Sequence, residues 1–141
     1  DVFTLLTNIE NFFVKSHDFE GSDFCIFMKS DWNSVLINSA ENLPQNLSYG
    51  AQVQSICSVQ DNKKYLREII PSHEIIPAKM RTEDKSNIFL VLPIFHHSYV
   101  HGYFVTKNNL TMIDNRYGYL WTRSMGTGIE HFRKKLLCVF L

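Results

Sequence analysis

The sequence predicts an α+β domain, a mostly antiparallel sheet of five to six strands with N- and C-terminal helices packed on one of its faces. Apolar residues recur at three- and four-residue intervals at both ends of the chain. The middle holds short apolar, aromatic-rich runs, and two of these flank a polar turn, which is the pattern of an antiparallel hairpin. The 141 residues, 45% apolar and 13% aromatic, supply one core. A chain of this length buries roughly two thirds of the surface its unfolded form exposes. Residues 1–141 are therefore read as a single domain.

Val2, Leu5, Leu6, Ile9, Phe12 and Phe13 share one face of a first helix, which ends before the polar stretch from His17 to Gly21. Phe24 to Met28 is too short for a helix and is read as a buried strand, ended by Asp31-Trp32-Asn33. Val53, Ser55 and Cys57 alternate with Gln52, Gln54 and Ile56, as in a second strand. A short charged helix is expected around Lys63 to Ile70, after which Pro71 and Pro77 prevent anything long. Asn87 to Phe95 and Tyr99 to Thr106, separated by His96-His97-Ser98, form the predicted hairpin. Its Pro93 must turn its nitrogen to an edge or a bulge, and Gly102 marks a bulge or a close backbone approach. Asp114 is an N-cap for a last helix that carries Tyr117, Trp121, Met125, Ile129, Phe132, Leu136 and Val139. Met125 to Val139 are spaced 4, 3, 4, 3, a heptad seam that predicts a homodimer through this helix. Gly126 and Gly128 inside it leave open a tight helix contact or a local break.

Fourteen basic and fourteen acidic residues leave no net field to attract nucleic acid or an anionic membrane surface. Neither partner is expected. Three cysteines, Cys25, Cys57 and Cys138, are odd in number and widely spaced, unlike a secreted disulfide framework, so a reducing cytoplasm is expected. No apolar run reaches the ~20 residues a bilayer span needs, and the first residues lack a signal-peptide pattern. Asn46-Leu47-Ser48 and Asn109-Leu110-Thr111 match the glycosylation triplet only as chance allows. A start without Met and an apolar finish, LLCVFL, read as a piece of something longer.

No catalytic residues and no cofactor are expected. His96, His97 and His101 cluster locally, but neighbours in a turn point apart and no Asp, Glu or Cys lies close in sequence. They are read as a solvated turn, without a metal. Cys25 in an apolar strand is read as packing rather than as a nucleophile, because no Cys-x-x-Cys pair or nucleophile elbow accompanies it. Glu83-Asp84 and Asp18, Glu20 and Asp23 are read as solvated loops. The six glycines form neither a dinucleotide fingerprint nor a P-loop.

The segment Asn87 to Val105, NIFLVLPIFHHSYVHGYFV, resembles the signature hairpin of GAF domains, with Pro93-Ile94 closing the first strand and Gly102-Tyr103-Phe104-Val105 in the return strand. The fold class becomes GAF/PAS-like on that resemblance. Phe24 to Trp32, Ile75-Ile76-Pro77, Leu92-Pro93-Ile94, His101-Gly102-Tyr103 and Trp121 are similar to the segment that precedes GGDEF diguanylate cyclase domains in Firmicute-type signalling proteins. The resemblance implies a cytoplasmic bacterial sensory domain in cyclic di-GMP signalling. Such a domain binds an unknown small ligand or dimerises to control an output domain, and the ligand would lie under the 38–49 and 71–85 segments. The cyclic-nucleotide and bilin contexts of that family are not evident. Two rivals are a GAF-type thiol reductase using Cys25 or Cys57 and a ligand-free dimerisation spacer.

Overall fold

A computed structural model describes residues 23–30, 49–61, 63–64, 67–81, 86–97, 99–109 and 117–140, together with Thr4, Thr7, Asn8 and Asn11; for 117–118 and 133–140 it describes the helix backbone alone. Six strands form one antiparallel sheet: β1 (Asp23–Lys29), β2 (Gln52–Gln60), β3 (Lys63–Lys64), β4 (Ile69–Pro71), β5 (Phe89–His96) and β6 (Tyr99–Lys107). The order is β3-β2-β1-β6-β5, with β4 pairing the start of β2. The chain is thus α+β, as its pattern predicts. The first and last long strands meet at the centre, with Cys25 opposite Val105 and Phe27 opposite Tyr103.

Central position explains the composition of β1. A strand with neighbours on both sides and cover on both faces has no solvent side, so Phe24, Cys25, Ile26, Phe27 and Met28 are all buried and the sequence does not alternate. β5 lies at the sheet edge and does alternate, with Val91 and Pro93 exposed between the half-buried Leu90 and Leu92 and the buried Ile94. Pro93 therefore sits where a missing N–H is tolerated. β5 and β6 close on residues 97 and 98, and His97 takes φ 52°, the left-handed conformation that so short a loop demands.

Gly102 is the close approach anticipated for it. A Cβ there would overlap the carbonyl oxygen of Phe27 and lie 2.8 Å from Met28 Cα. Gly102 also flanks a bulge: Ile94 pairs with Gly102 and Phe95 with Val100, so β6 carries one extra residue, His101, beside Gly102.

One face of the sheet carries Phe24, Ile26, Met28, Cys57, Ile94 and Phe104, and the C-terminal helix, Tyr117–Phe140, covers it with Trp121, Met125 and Ile129. The other face carries Cys25, Phe27, Val53, Tyr103 and Val105, covered by Ile70, Ile76 and Met80 from the segment 69–81. The expected charged helix around Lys63 to Ile70 is corrected: Lys63–Lys64 and Ile69–Pro71 are strands hydrogen-bonded to opposite ends of β2. Local charge spacing loses there to a ladder, helped by the β-branched Ile69-Ile70 pair. The segment then continues as two short 3-10 turns, Ser72–Glu74 and Ala78–Met80, each entered from a proline. Thr4, Thr7, Asn8 and Asn11 are helical, whereas the apolar face predicted for that helix and the Asp114 cap lie outside the described residues.

The C-terminal helix is continuous through both glycines. Gly126 is buried, and a Cβ on it would overlap the carbonyl of Phe95 in β5; Gly128 has nothing within 4 Å of where its Cβ would stand. Of the two readings left open, a tight contact holds for Gly126 and a break for neither.

Candidate functional site

β6 divides its side chains between the two faces, and the hairpin it forms with β5 is the structural link between them. On the face away from the helix, Tyr103 is fully buried, stacks on Phe27 at 5.3 Å between centroids and takes the edge of Tyr49 at 5.2 Å. Its hydroxyl donates to the carbonyl of Ile75 at 2.7 Å. Ile75 takes φ 56°, a conformation that costs a β-branched residue of the order of 1–3 kcal/mol and persists only where the surroundings impose it. The covering segment is stapled at several points. Ser55 N donates to Glu68 O, Glu68 N donates to Ser55 Oγ, and Ser72 N donates to Ala51 O, all at 2.9 Å. Lys79 stands 3.0 Å from the Glu68 carboxylate. Burial pushes the phenols of Tyr103 and Tyr49 above their ordinary range. Tyr103→Phe removes one hydroxyl–carbonyl bond and is expected to cost about 1 kcal/mol by urea unfolding. An unchanged midpoint would show that the Ile75 contact contributes nothing.

Cys25 lies on this same face, while Cys57 packs on the helix side, so the sheet separates the two thiols. Burial pushes the Cys25 thiol up to about 12, outweighing the hydrogen bond with Ser58. Because the folded-state value lies above the ordinary value of 9.0, protonated Cys25 favours folding below pH ~9, and that contribution fades as pH rises towards 12. Native protein should leave Cys25 unmodified by iodoacetamide at pH 7 to 8, with modification appearing on unfolding. Rapid labelling of Cys25 in the native state, read by peptide mass mapping, would revive the thiol-reductase reading.

The helix side holds a buried polar cluster that sequence spacing missed. Lys29, His101 and Glu130 are 5%, 1% and 3% exposed. His101 Nε2 is 3.6 Å from Glu130 Oε2, the Tyr99 ring meets His101 edge-on at 5.0 Å, and Lys29 Nζ lies 4.3 Å above the Tyr99 ring. The reading of His101 as part of a solvated turn is thereby corrected. Its acidic partner is 29 positions away and arrives on the helix, so no local window could show it. His96 and His97 remain at the turn with centroids 4.3 Å apart. Among the described residues no three His, Cys, Asp or Glu side chains converge as metal ligands.

The predicted seam also has its position in this fold. Ile129 is 2% exposed inside the helix-face core, Met125 packs against the same core, and Phe132 is half-buried. The side chains of Leu136 and Val139 lie outside the described residues. Met125 and Ile129 therefore serve the chain's own sheet. Leu120, Ser124, Thr127, Gly128 and His131 instead share the outward side of the helix.

No family model, curated protein or solved structure matches this chain. No helix among the described residues is long and apolar enough to cross a membrane.

Proposed function

We propose that this chain is a GAF/PAS-like, non-catalytic sensory domain of a bacterial cytoplasmic signalling protein, which controls an output domain through its C-terminal helix. The observation that carries the reading is the seating of Gly126 against the Phe95 carbonyl. A contact between two backbones has no side-chain rotamers to absorb a displacement, so a shift of the β5–β6 hairpin is transmitted to the helix. The same hairpin presents Tyr103 to the 69–81 segment on the other face, where the resemblance puts a small ligand. A ligand that displaces this segment need discriminate between two helix seatings by only a few kcal/mol. The GAF-like hairpin makes a GGDEF diguanylate cyclase the first choice of output domain.

The reading is tested on the intact gene product. Metabolites that raise the thermal midpoint of the chain are identified first, and nucleotide synthesis is then measured with and without them. Stabilising ligands are expected to change output, and Gly126→Ala is expected to abolish the response. An output indifferent to every stabilising ligand would overturn the proposal.

A further inference from the structure

Among the described residues no strand pairs with the outer edge of β5, and that edge is unlike an ordinary protected one. Ile88 O accepts from Asn108 N at 2.8 Å and Ile88 N donates to Asn108 Oδ1 at 2.9 Å, so the backbone groups of residue 88 point at β6. The antiparallel alternation then turns Leu90 and Leu92 inward, opposite Thr106 and Phe104, and turns Phe89, Val91 and Pro93 outward. The N–H groups of Phe89 and Val91 and the carbonyls of Phe89, Val91 and Pro93 face the edge. Proline at an outward position agrees with this, since it has no N–H to give. Edges are commonly blocked by charged side chains, yet no Asp, Glu, Lys or Arg occurs from Ser86 to Phe95. Ile88 and Val91 are 54% and 38% exposed beside it.

We propose that β5 pairs with β5 of a second copy, antiparallel about a two-fold axis at Val91, joining two sheets into one. In that register the Val91 N–H donates to the carbonyl of the partner's Val91 and receives the reciprocal bond. Phe89 N–H donates to the carbonyl of the partner's Pro93. Every outward donor between 89 and 93 is then satisfied, and the missing proline N–H falls where the pairing ends. A second copy fits better than a charged partner, because the strand is neutral and its donor and acceptor pattern is its own complement. The helix packs on the face of β5, and its close backbone contact at Phe95 lies outside the paired stretch. So short a ladder buries less than the roughly 1,200 Å² of a stable interface, which makes the association concentration-dependent. This inference stands apart from the signalling reading, since a ligand response needs no partner.

The test uses two cysteine variants and one charge variant, with the unsubstituted protein controlling for native thiols. The two-fold register brings Val91 within about 5.5 Å of its symmetry mate between Cα atoms, within disulfide reach. Ile88 is three residues from the axis, so its copies stand roughly 20 Å apart. Val91→Cys should form a covalent dimer on mild oxidation and Ile88→Cys should not. Val91→Lys should abolish concentration-dependent dimerisation in sedimentation while leaving the circular dichroism spectrum unchanged. The proposal is overturned by a monomer at every concentration, by equal cross-linking at both positions, or by a dimer that survives Val91→Lys through another surface.

Discussion

Gly126→Ala is expected to lower stability by about 3 kcal/mol, although alanine is the better helix former by about 1 kcal/mol. The added Cβ would overlap the Phe95 carbonyl, and backbone cannot rotate out of the way. The helix must therefore lift from β5, loosening Trp121, Met125 and Ile129 from the core they cover. Gly128→Ala, two residues on, meets open space and is expected to raise stability by roughly 1 kcal/mol. Urea denaturation of the two variants measures the difference. Equal effects would mean that the helix does not rest on Phe95, and the transmission proposed for the hairpin would fail with it. Near-ultraviolet circular dichroism should show Gly126→Ala altering the Trp121 environment while far-ultraviolet helicity stays near the parent value.

Glu130→Ala is the second large effect, expected at about 3 kcal/mol. Glu130 is buried beside His101, the Tyr99 ring meets His101 edge-on, and buried Lys29 lies over that ring. Removing the carboxylate leaves polar and basic groups in an apolar interface where water cannot replace it. Glu130→Gln keeps the volume and a hydrogen-bonding end, and should lose less. A double-mutant cycle with His101→Ala isolates the pair, and contacting residues of this kind show couplings of about 0.5–3 kcal/mol. A cycle that closes to zero would make the two residues neighbours without an interaction.

The strands that stand in the middle of this fold were legible because their chemistry is local. An uninterrupted apolar run such as Phe24 to Met28 suits only a site covered on both faces, and the two runs around His97 bear the composition and loop length of a hairpin. The helix over 117–140 was legible from periodicity, but the purpose of that periodicity was not. Spacing of 4, 3, 4, 3 states that Met125 and Ile129 share a side; it does not state whether that side meets a partner or the chain's own sheet. Lys63 to Ile70 misled for a related reason, since its pattern reports helix-compatible charges and not the ladder offered by β2.

By itself the sequence determined the α+β class, the β5–β6 hairpin with Pro93 at an edge or a bulge, and a long last helix, all consequences of interactions within a few residues. Tertiary structure decided which glycine is a contact, which face each cysteine occupies and that His101 meets Glu130. Those outcomes depend on groups brought together across 29 or more positions, as Phe95 and Gly126 or His101 and Glu130 are. The free energy of such contacts is set by packing and desolvation at the place of meeting, and no property of either segment alone records it.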